Sequence, residues 1–255
     1  MLDPRIVAGK LARELRAKFG DELWSVVLFG SVPRGEAIPG ISDLNVLVLL
    51  ESIGASQLAN AAPLVQQWIR GGNSPPHLYS WDEWLGMQDT FAIEIADMQD
   101  AREILLGTDP ITQDVVRLGD LRLHAEREAR ETLLNLRLRM MLSADNPLEL
   151  GSLLMSGLPS FTAYMRAALR VSDEAPGVET RSVIERTARR IDADPQPLLA
   201  TWEARCNVQP FKVQITDPIA EGYTDFVHSL MQYLDHLGGS ITKTVVPSPS
   251  AAAAH

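Results

Sequence analysis

Several features that would assign this 255-residue sequence to a class of proteins are scarce. It has a single cysteine, Cys206, which excludes an internal disulfide and is typical of a reducing compartment. No apolar run reaches the ~18 residues that a membrane span needs, and the first residues lack the basic and apolar regions of a signal peptide. The five histidines are scattered and show no metal-ligand spacing. Together these absences predict a cytoplasmic protein.

The sequence has fewer basic than acidic residues, and the difference is larger in its first half than in its second. The net charge is -10. Residues 1–112 contain 8 Lys or Arg and 15 Asp or Glu, a net charge of -7, whereas residues 113–255 contain 15 and 18, a net charge of -3. Nucleic-acid binding relies on basic surface to neutralise phosphates. Neither nucleic acid nor a membrane is therefore an expected partner.

The most informative stretch comprises two predicted strands and the loop that joins them. The first strand ends at the turn Gly30-Ser31, and the second runs from Asp43 to Leu50. The period of two along a strand places Asp43 and Asn45 side by side on one face, at the start of an otherwise apolar strand. Buried polar groups are costly without partners, so this pair indicates a functional site.

These residues resemble the signature of the nucleotidyltransferase superfamily, the fold of DNA polymerase beta and of aminoglycoside nucleotidyltransferases. That signature has a Gly-Ser turn after the first strand and, about ten residues later, an Asp-x-Asp pair that opens the next strand. The turn here is Gly30-Ser31, Arg34-Gly35 follows in the loop, and the pair reads Asp43-Leu44-Asn45. The second carboxylate of the signature is therefore an amide in this sequence.

The resemblance implies transfer of a nucleotidyl group, AMP from ATP in the simplest case, to a hydroxyl of a small molecule or protein. It implies Mg²⁺ and ATP or another nucleoside triphosphate as cofactors. Gly30, Ser31 and Arg34 are then expected to bind phosphate, and Asp43 and Asn45 to hold the metal.

The amide of Asn45 predicts a weakened metal site. Its carbonyl oxygen can still face a cation but has no charge, whereas Mg²⁺ is usually held by one or two carboxylates and the substrate phosphates. We expect weaker binding, or one ion where the family holds two. The alternative is a catalytically degenerate nucleotidyltransferase fold that acts as a nucleotide-binding, regulatory or partner-binding module.

A third acid is expected from a later strand, as in the superfamily. The segment Phe91–Met98 is predicted to be that strand, with Ile93 and Ile95 on one face and Glu94 on the other. The resemblance assigns the third metal-ligating and catalytic carboxylate, beside Asp43, to Glu94. Asp97 is the alternative position.

The predicted fold class is α+β. A nucleotidyltransferase-like mixed sheet with flanking helices (1–112) is followed by an all-α helical bundle (113–240) and a disordered tail (241–255). This order resembles kanamycin nucleotidyltransferase-type and nucleotidyltransferase/HEPN-type proteins, although Arg117 and His124 match the HEPN ribonuclease spacing only weakly. The protein could also form homo-oligomers through the helical domain.

The apolar periodicity predicts nine helical segments. They are Pro4–Phe19, Ser56–Arg70, Trp81–Gln88, Ala101–Leu106, Leu118–Ser143, Pro147–Val171 with a kink or break at Pro159, Val178–Ile191, Pro195–Arg205 and Asp217–Leu237.

Overall fold

A computed structural model describes residues 3–87, 89–111 and 116–238. The expected domain boundary at 112/113 and the expected tail over 241–255 lie outside these residues. Within them the strands are β1 Leu23–Phe29, β2 Asn45–Leu50, β3 His77–Ser80 and β4 Arg102–Gly107. The helices are α1 Pro4–Phe19, α2 Ser31–Arg34, α3 Ala55–Arg70, α4 Trp81–Gly86, α5 Ala92–Asp100, α6 Leu118–Leu142, α7 Pro147–Val171, α8 Thr180–Ile191, α9 Gln196–Cys206 and α10 Pro218–Leu237.

The four strands form one mixed sheet in the order β3-β2-β1-β4. β1 is antiparallel to β2 and β4, and β2 is parallel to β3. One face of the sheet packs on α1 and α3, and the other packs on Trp84 of α4 and on α5. The predicted α+β class, with a mixed sheet, flanking helices and a following helical region, is confirmed.

Helix α5 joins the sheet to the helical region. Its Ile95 and Met98 pack in the core under the sheet, whereas Ala92, Ile93 and Ala96 pack in the large core formed by α6 to α10. The two apolar cores therefore meet on opposite sides of a single nine-residue helix. Side chains of α5 are placed where they can face both halves of the chain.

Two secondary-structure predictions are wrong, and they are neighbours. The segment Phe91–Met98, predicted as a strand, belongs mostly to α5, and the predicted helix over Ala101–Leu106 is strand β4. Alternating Ile93 and Ile95 suggested a strand, but the apolar residues of this segment also recur at helical spacing. β4 is defined by pairing with the distant β1, in which Val27 lies opposite Ile104.

The long helices agree closely with the predictions. Pro159 lies inside the continuous helix α7, so the alternative of a break at that point is wrong. Ser80 and Glu83 form a capping box at the start of α4, one of the predicted helices. None of the helices in the described part of the chain combines the length and apolar character that a membrane crossing requires.

Candidate active site

A cleft of about 180 Å³ lies between the sheet and the helical region. Its lining residues come from the end of β1 and the segment that leads to β2, from α5, and from α7, α8 and α9. The motif residues are Gly30, Ser31, Arg34, Asp43 and Asn45, and they face Asp97, Thr162, Arg166, Thr180, Trp202 and Arg205. The structure thus brings all the predicted site residues except Glu94 to one place.

The turn at Gly30 requires glycine. Its φ is 88° and its ψ is -142°, a conformation that residues with a side chain rarely adopt. A Cβ atom at this position would also lie 2.9 Å from Nδ2 of Asn45. Asn45, which pairs with Phe29 across β1 and β2, therefore packs directly against the turn. Its amide closes one side of the cleft.

Asp43 precedes β2 and lies at the junction of two cavities. Its Oδ2 accepts a hydrogen bond from the hydroxyl of Ser74, and Trp68 positions Ser74 by donating from Nε1 to its carbonyl at 2.7 Å. Asp43 also lines the second cavity, which has a volume of about 380 Å³ and otherwise only uncharged lining residues. These groups are Pro4, Val7, Gly40, Ile41, Ser42, Leu44, Gly71, Gly72 and Asn73.

Arg34 is paired with the acidic residue Asp97. Its guanidinium forms an ion pair with Asp97 and donates a hydrogen bond to the Asp97 carbonyl at 3.2 Å. The Arg34 side chain is only 6% exposed, and its Nε has no hydrogen-bond partner in the described part of the chain. A phosphate at this arginine would therefore compete with Asp97.

Arg166 connects the motif loop to the helical region. Its guanidinium lies 3.8 Å from the carboxylates of both Glu36 and Asp97. Glu36 also accepts hydrogen bonds from the backbone N–H (2.6 Å) and hydroxyl (2.8 Å) of Thr180. Burial and the nearby Arg34 lower the pKa of Arg166, but a guanidinium remains protonated in proteins. Two of the cleft's carboxylates are therefore already paired with protein donors.

Arg205 lies on the opposite wall and was not predicted. Its Nη1 donates to the carbonyl of Met155 at 3.1 Å, and no described carboxylate lies within ion-pair distance of it. Burial lowers the pKa of Arg205, and the field of Asp43 acts in the opposite direction. No local pattern marks this residue, because only the packing of α9 over the cleft brings it near Asp43.

Glu94 is not among the residues that line the cleft, so the expected convergence with Asp43 and Asn45 is not found. Its Oε2 is buried without a hydrogen-bond partner in the described residues. Burial raises the pKa of Glu94, the charges of Glu128 and Asp97 raise it further, and that of His124 opposes them. The segment is a helix, so strand alternation does not select the residue facing the cleft, and Asp97 faces it instead.

The donor set suits a single hard cation at most. Within residues 3–87, 89–111 and 116–238, no three His, Cys, Asp or Glu side chains are grouped to hold a metal ion. Glu36 and Asp97 are engaged by arginine or Thr180, so Asp43 is the cleft carboxylate without an ion-pair partner in the described residues. The cleft is lined by three arginines and three acidic residues, so its formal charges cancel. A site that binds two divalent cations would instead have an excess of acidic residues.

Comparison with known proteins finds similarity in structure but not in sequence. No protein-family model and no curated protein sequence matches this chain. Its structure is similar to that of spectinomycin adenyltransferase AAD(9) from Enterococcus faecialis, solved with ATP and spectinomycin. The match has a TM-score of 0.57 and 14% sequence identity, and covers 91% of this chain and 100% of that one. The chain has a nucleotidyltransferase fold.

That fold explains the placement of the motif. In this nucleotidyltransferase fold, β1 and β2 are adjacent antiparallel strands, so the turn after β1 and the residues before β2 meet at one edge of the sheet. The suspected resemblance to the superfamily is thus confirmed for the fold.

Proposed function

We propose that this protein binds a nucleoside triphosphate, most simply ATP, in the cleft and transfers its nucleotidyl group to a hydroxyl of a small molecule. The observation that carries the proposal is the meeting of Gly30-Ser31, Asp43 and Arg205 around one cleft, although they come from distant parts of the chain. The structural relative AAD(9) was solved with ATP and spectinomycin, which supports a small-molecule acceptor over a protein.

The triphosphate would lie between the turn and the arginines. Gly30 allows close approach of the backbone, and Ser31 offers a hydroxyl and a backbone N–H. Arg205 supplies a guanidinium with no carboxylate partner among the described residues, and its planar donors suit phosphate oxygens. Arg34 would join by exchanging Asp97 for the more highly charged phosphates.

Asp43 and Asn45 would hold a magnesium ion that arrives with the nucleotide. Such ions are commonly held by one or two carboxylates together with substrate phosphates, and one carboxylate with one amide oxygen meets the lower end of that range. When bound, the ion would supply charge stabilisation at the phosphoryl oxygens. The uncharged Asn45 leaves Asp43 as the main protein ligand.

We assign the third acidic position to Asp97. In the transfer, the acceptor oxygen forms a bond to the α-phosphorus, the bond to the bridging oxygen of the β-phosphate breaks, and pyrophosphate leaves. The proton of the acceptor hydroxyl goes to Asp97, which becomes available when phosphates engage Arg34. Asp97 lines the cleft, whereas Glu94 does not.

The two cavities that meet at Asp43 suit different parts of the reactants. The arginine-lined cleft suits the polyanionic triphosphate, whereas the cavity of about 380 Å³ has only uncharged lining groups besides Asp43. Binding sites for small molecules typically occupy ~300–1,000 Å³. The second cavity therefore has room for an uncharged or cationic polyhydroxyl acceptor whose reacting hydroxyl would extend past Asp43 into the cleft that Asp97 lines.

The test combines calorimetry with a pyrophosphate-release assay. ATP with Mg²⁺ should bind the wild type, and Asp43→Ala and Arg205→Met should each weaken binding at least tenfold. Asn45→Ala should reduce the affinity for Mn²⁺ in the ATP complex less than Asp43→Ala does. Asp225→Ala removes an exposed acid of α10 and serves as control. No ATP binding by folded wild type would contradict the proposal.

A second candidate function is nucleotide binding without transfer, acting as a regulatory or partner-binding module. The amide at Asn45 and the engaged carboxylates of Glu36 and Asp97 favour it. The two candidates differ in turnover. Pyrophosphate release with any member of a panel of hydroxylated acceptors, beginning with spectinomycin, supports transfer; ATP binding with no release across the panel supports the second candidate.

A further inference from the structure

Helix α6 exposes a second apolar stripe opposite its buried one. The buried stripe faces the helical core and consists of Leu121, Ala125, Ala129, Leu133, Leu136 and Met140. On the opposite side, Leu134, Leu138 and Met141 are 66%, 51% and 64% exposed. Isolated exposed apolar residues are ordinary, but a contiguous row on one helix indicates an interaction surface.

The exposed row continues as a regular seam. Within α6, positions 127, 131, 134, 138 and 141 are separated alternately by four and three residues, the spacing by which one helix packs along another. The three apolar residues form its centre, Arg127 and Glu131 lie at one end, and Asp145 follows the helix at the other. The charged ends have opposite signs at the outermost positions.

We propose that a second copy of this chain packs on this seam, with the two α6 helices antiparallel about a twofold axis. In that arrangement Leu134 contacts the partner's Leu138, and Arg127 faces the partner's Asp145. A twofold axis repeats each contact, so one apolar pair and one ion pair become two of each. In this register Glu131 lies opposite the partner's Met141, so the complementary contacts are the Leu134–Leu138 and Arg127–Asp145 pairs.

The charges favour a second copy as the occupant. Asp145 has no ion-pair partner among the described residues, and the Arg127 side chain is 71% exposed and paired only with its neighbour Glu128 at 3.2 Å. Both copies have a net charge of -10, so long-range repulsion opposes association unless the contact itself is complementary. The two Arg127–Asp145 pairs provide that complementarity.

The size of the seam determines how tightly the proposed dimer is expected to associate. Between Arg127 and Leu142 the helix is about 22 Å long, at 1.5 Å per residue. One such helix face buries less than the ~800 Å² per partner of a standard stable interface. The dimer should therefore be reversible, and its population should rise with protein concentration and fall with added salt.

The first test is sedimentation velocity over a wide concentration range. The wild type should shift from monomer towards dimer as its concentration rises, and Leu138→Glu should stay monomeric. Leu58→Glu is the matched control, since Leu58 on α3 is also 51% exposed but lies outside the seam. It should dimerise like the wild type. Circular dichroism and thermal melting show that each variant folds.

The second test reverses the charges. Arg127→Asp and Asp145→Arg should each weaken the dimer about tenfold or more, because like charges then face one another across the axis. The double variant restores opposite charges and should restore dimerisation. A wild type that is monomeric at all concentrations, or a double variant no better than either single one, would overturn the proposal. ATP binding is measured separately and can survive either result.

Discussion

Arg34 and Asp97 form an ion pair in the wall of the cleft, although 63 positions separate them in the sequence. Arg34 is the last residue of the short helix α2 after β1, and Asp97 belongs to α5, the helix that joins the two cores. One guanidinium therefore has a protein carboxylate as its present counter-ion and the proposed triphosphate as a competitor. Nucleotide binding and the availability of Asp97 are coupled through this residue.

Asp97→Asn should destabilise the protein and strengthen its affinity for anions. It leaves the buried guanidiniums of Arg34 and Arg166 facing one another without their shared acid, and loss of one partner of a buried pair costs about 3 kcal/mol. Urea unfolding should show that loss, and tripolyphosphate should recover more stability in the variant than in the wild type. Asp21→Asn, in the surface pair with Arg16, should change little. Equal effects of the two substitutions would contradict the buried network.

Gly30→Ala should lower the free energy of unfolding by about 1–3 kcal/mol, because a side chain is strained at this backbone conformation. The new methyl group would also lie 2.9 Å from the amide of Asn45. Gly9→Ala, inside α1, meets only the flexible end of Arg13 at 3.6 Å and should gain about 0.5–1 kcal/mol. Chemical denaturation measures both. A neutral Gly30→Ala would show that the turn relaxes easily.

Asn45→Asp should change the melting temperature in opposite directions under two conditions. Without metal, the new carboxylate repels Asp43 across the same cleft, so the variant should melt below the wild type in EDTA. With Mg²⁺ and ATP, two carboxylates facing a dication gain attraction that the amide lacks, and the melting temperature should recover. The exposed Asn60→Asp on α3 is the control. If Mg²⁺ and ATP changed the melting temperature of neither the wild type nor Asn45→Asp, the result would favour a partner-binding module over a nucleotide-binding site.

Glu94→Gln should stabilise the protein at neutral pH. Burial raises the pKa of Glu94 above its ordinary 4.5, so the folded state holds this proton to a higher pH than the unfolded chain does. The resulting penalty is absent below pH 4.5, grows as pH rises from there, and is complete above the raised pKa. Glutamine has no proton to lose and avoids it.

Urea unfolding at pH 4 and pH 7.5 checks this sign. Glu94→Gln should be close to the wild type at the lower pH and more stable at the higher one. The exposed Glu51→Gln should show no such pH dependence. If the free energies of unfolding of Glu94→Gln and the wild type differed by the same amount at both pH values, the effect would come from packing and not from ionisation of Glu94.

The sequence predicted the parts of the fold that are encoded locally. The Gly30-Ser31 turn, the strand from Asn45 and the long helices follow from apolar periodicity and from turn and cap residues within a few positions. The placement of Glu94 failed because Phe91–Met98 fits two periods, and the choice between them depends on packing against α6 and α7. Tertiary context often overrides such short patterns.

The candidate site was predicted only on the side formed by the sheet. Gly30, Ser31, Arg34, Asp43 and Asn45 meet as expected, but the opposite wall is supplied by Arg166 and Arg205. These arginines lie on α7 and α9, and charged residues of a helix usually face solvent. Only the docking of α7 and α9 over the sheet distinguishes them from the other arginines of the chain.

The most direct test of the account is a crystal structure of the protein soaked with ATP and Mn²⁺. We predict triphosphate density beside the Gly30-Ser31 turn and Arg205, with an anomalous manganese peak at about 2.2 Å from the Asp43 carboxylate. Asp97 should have moved away from Arg34. Nucleotide bound elsewhere, or a manganese peak that does not involve Asp43, would contradict the proposed site.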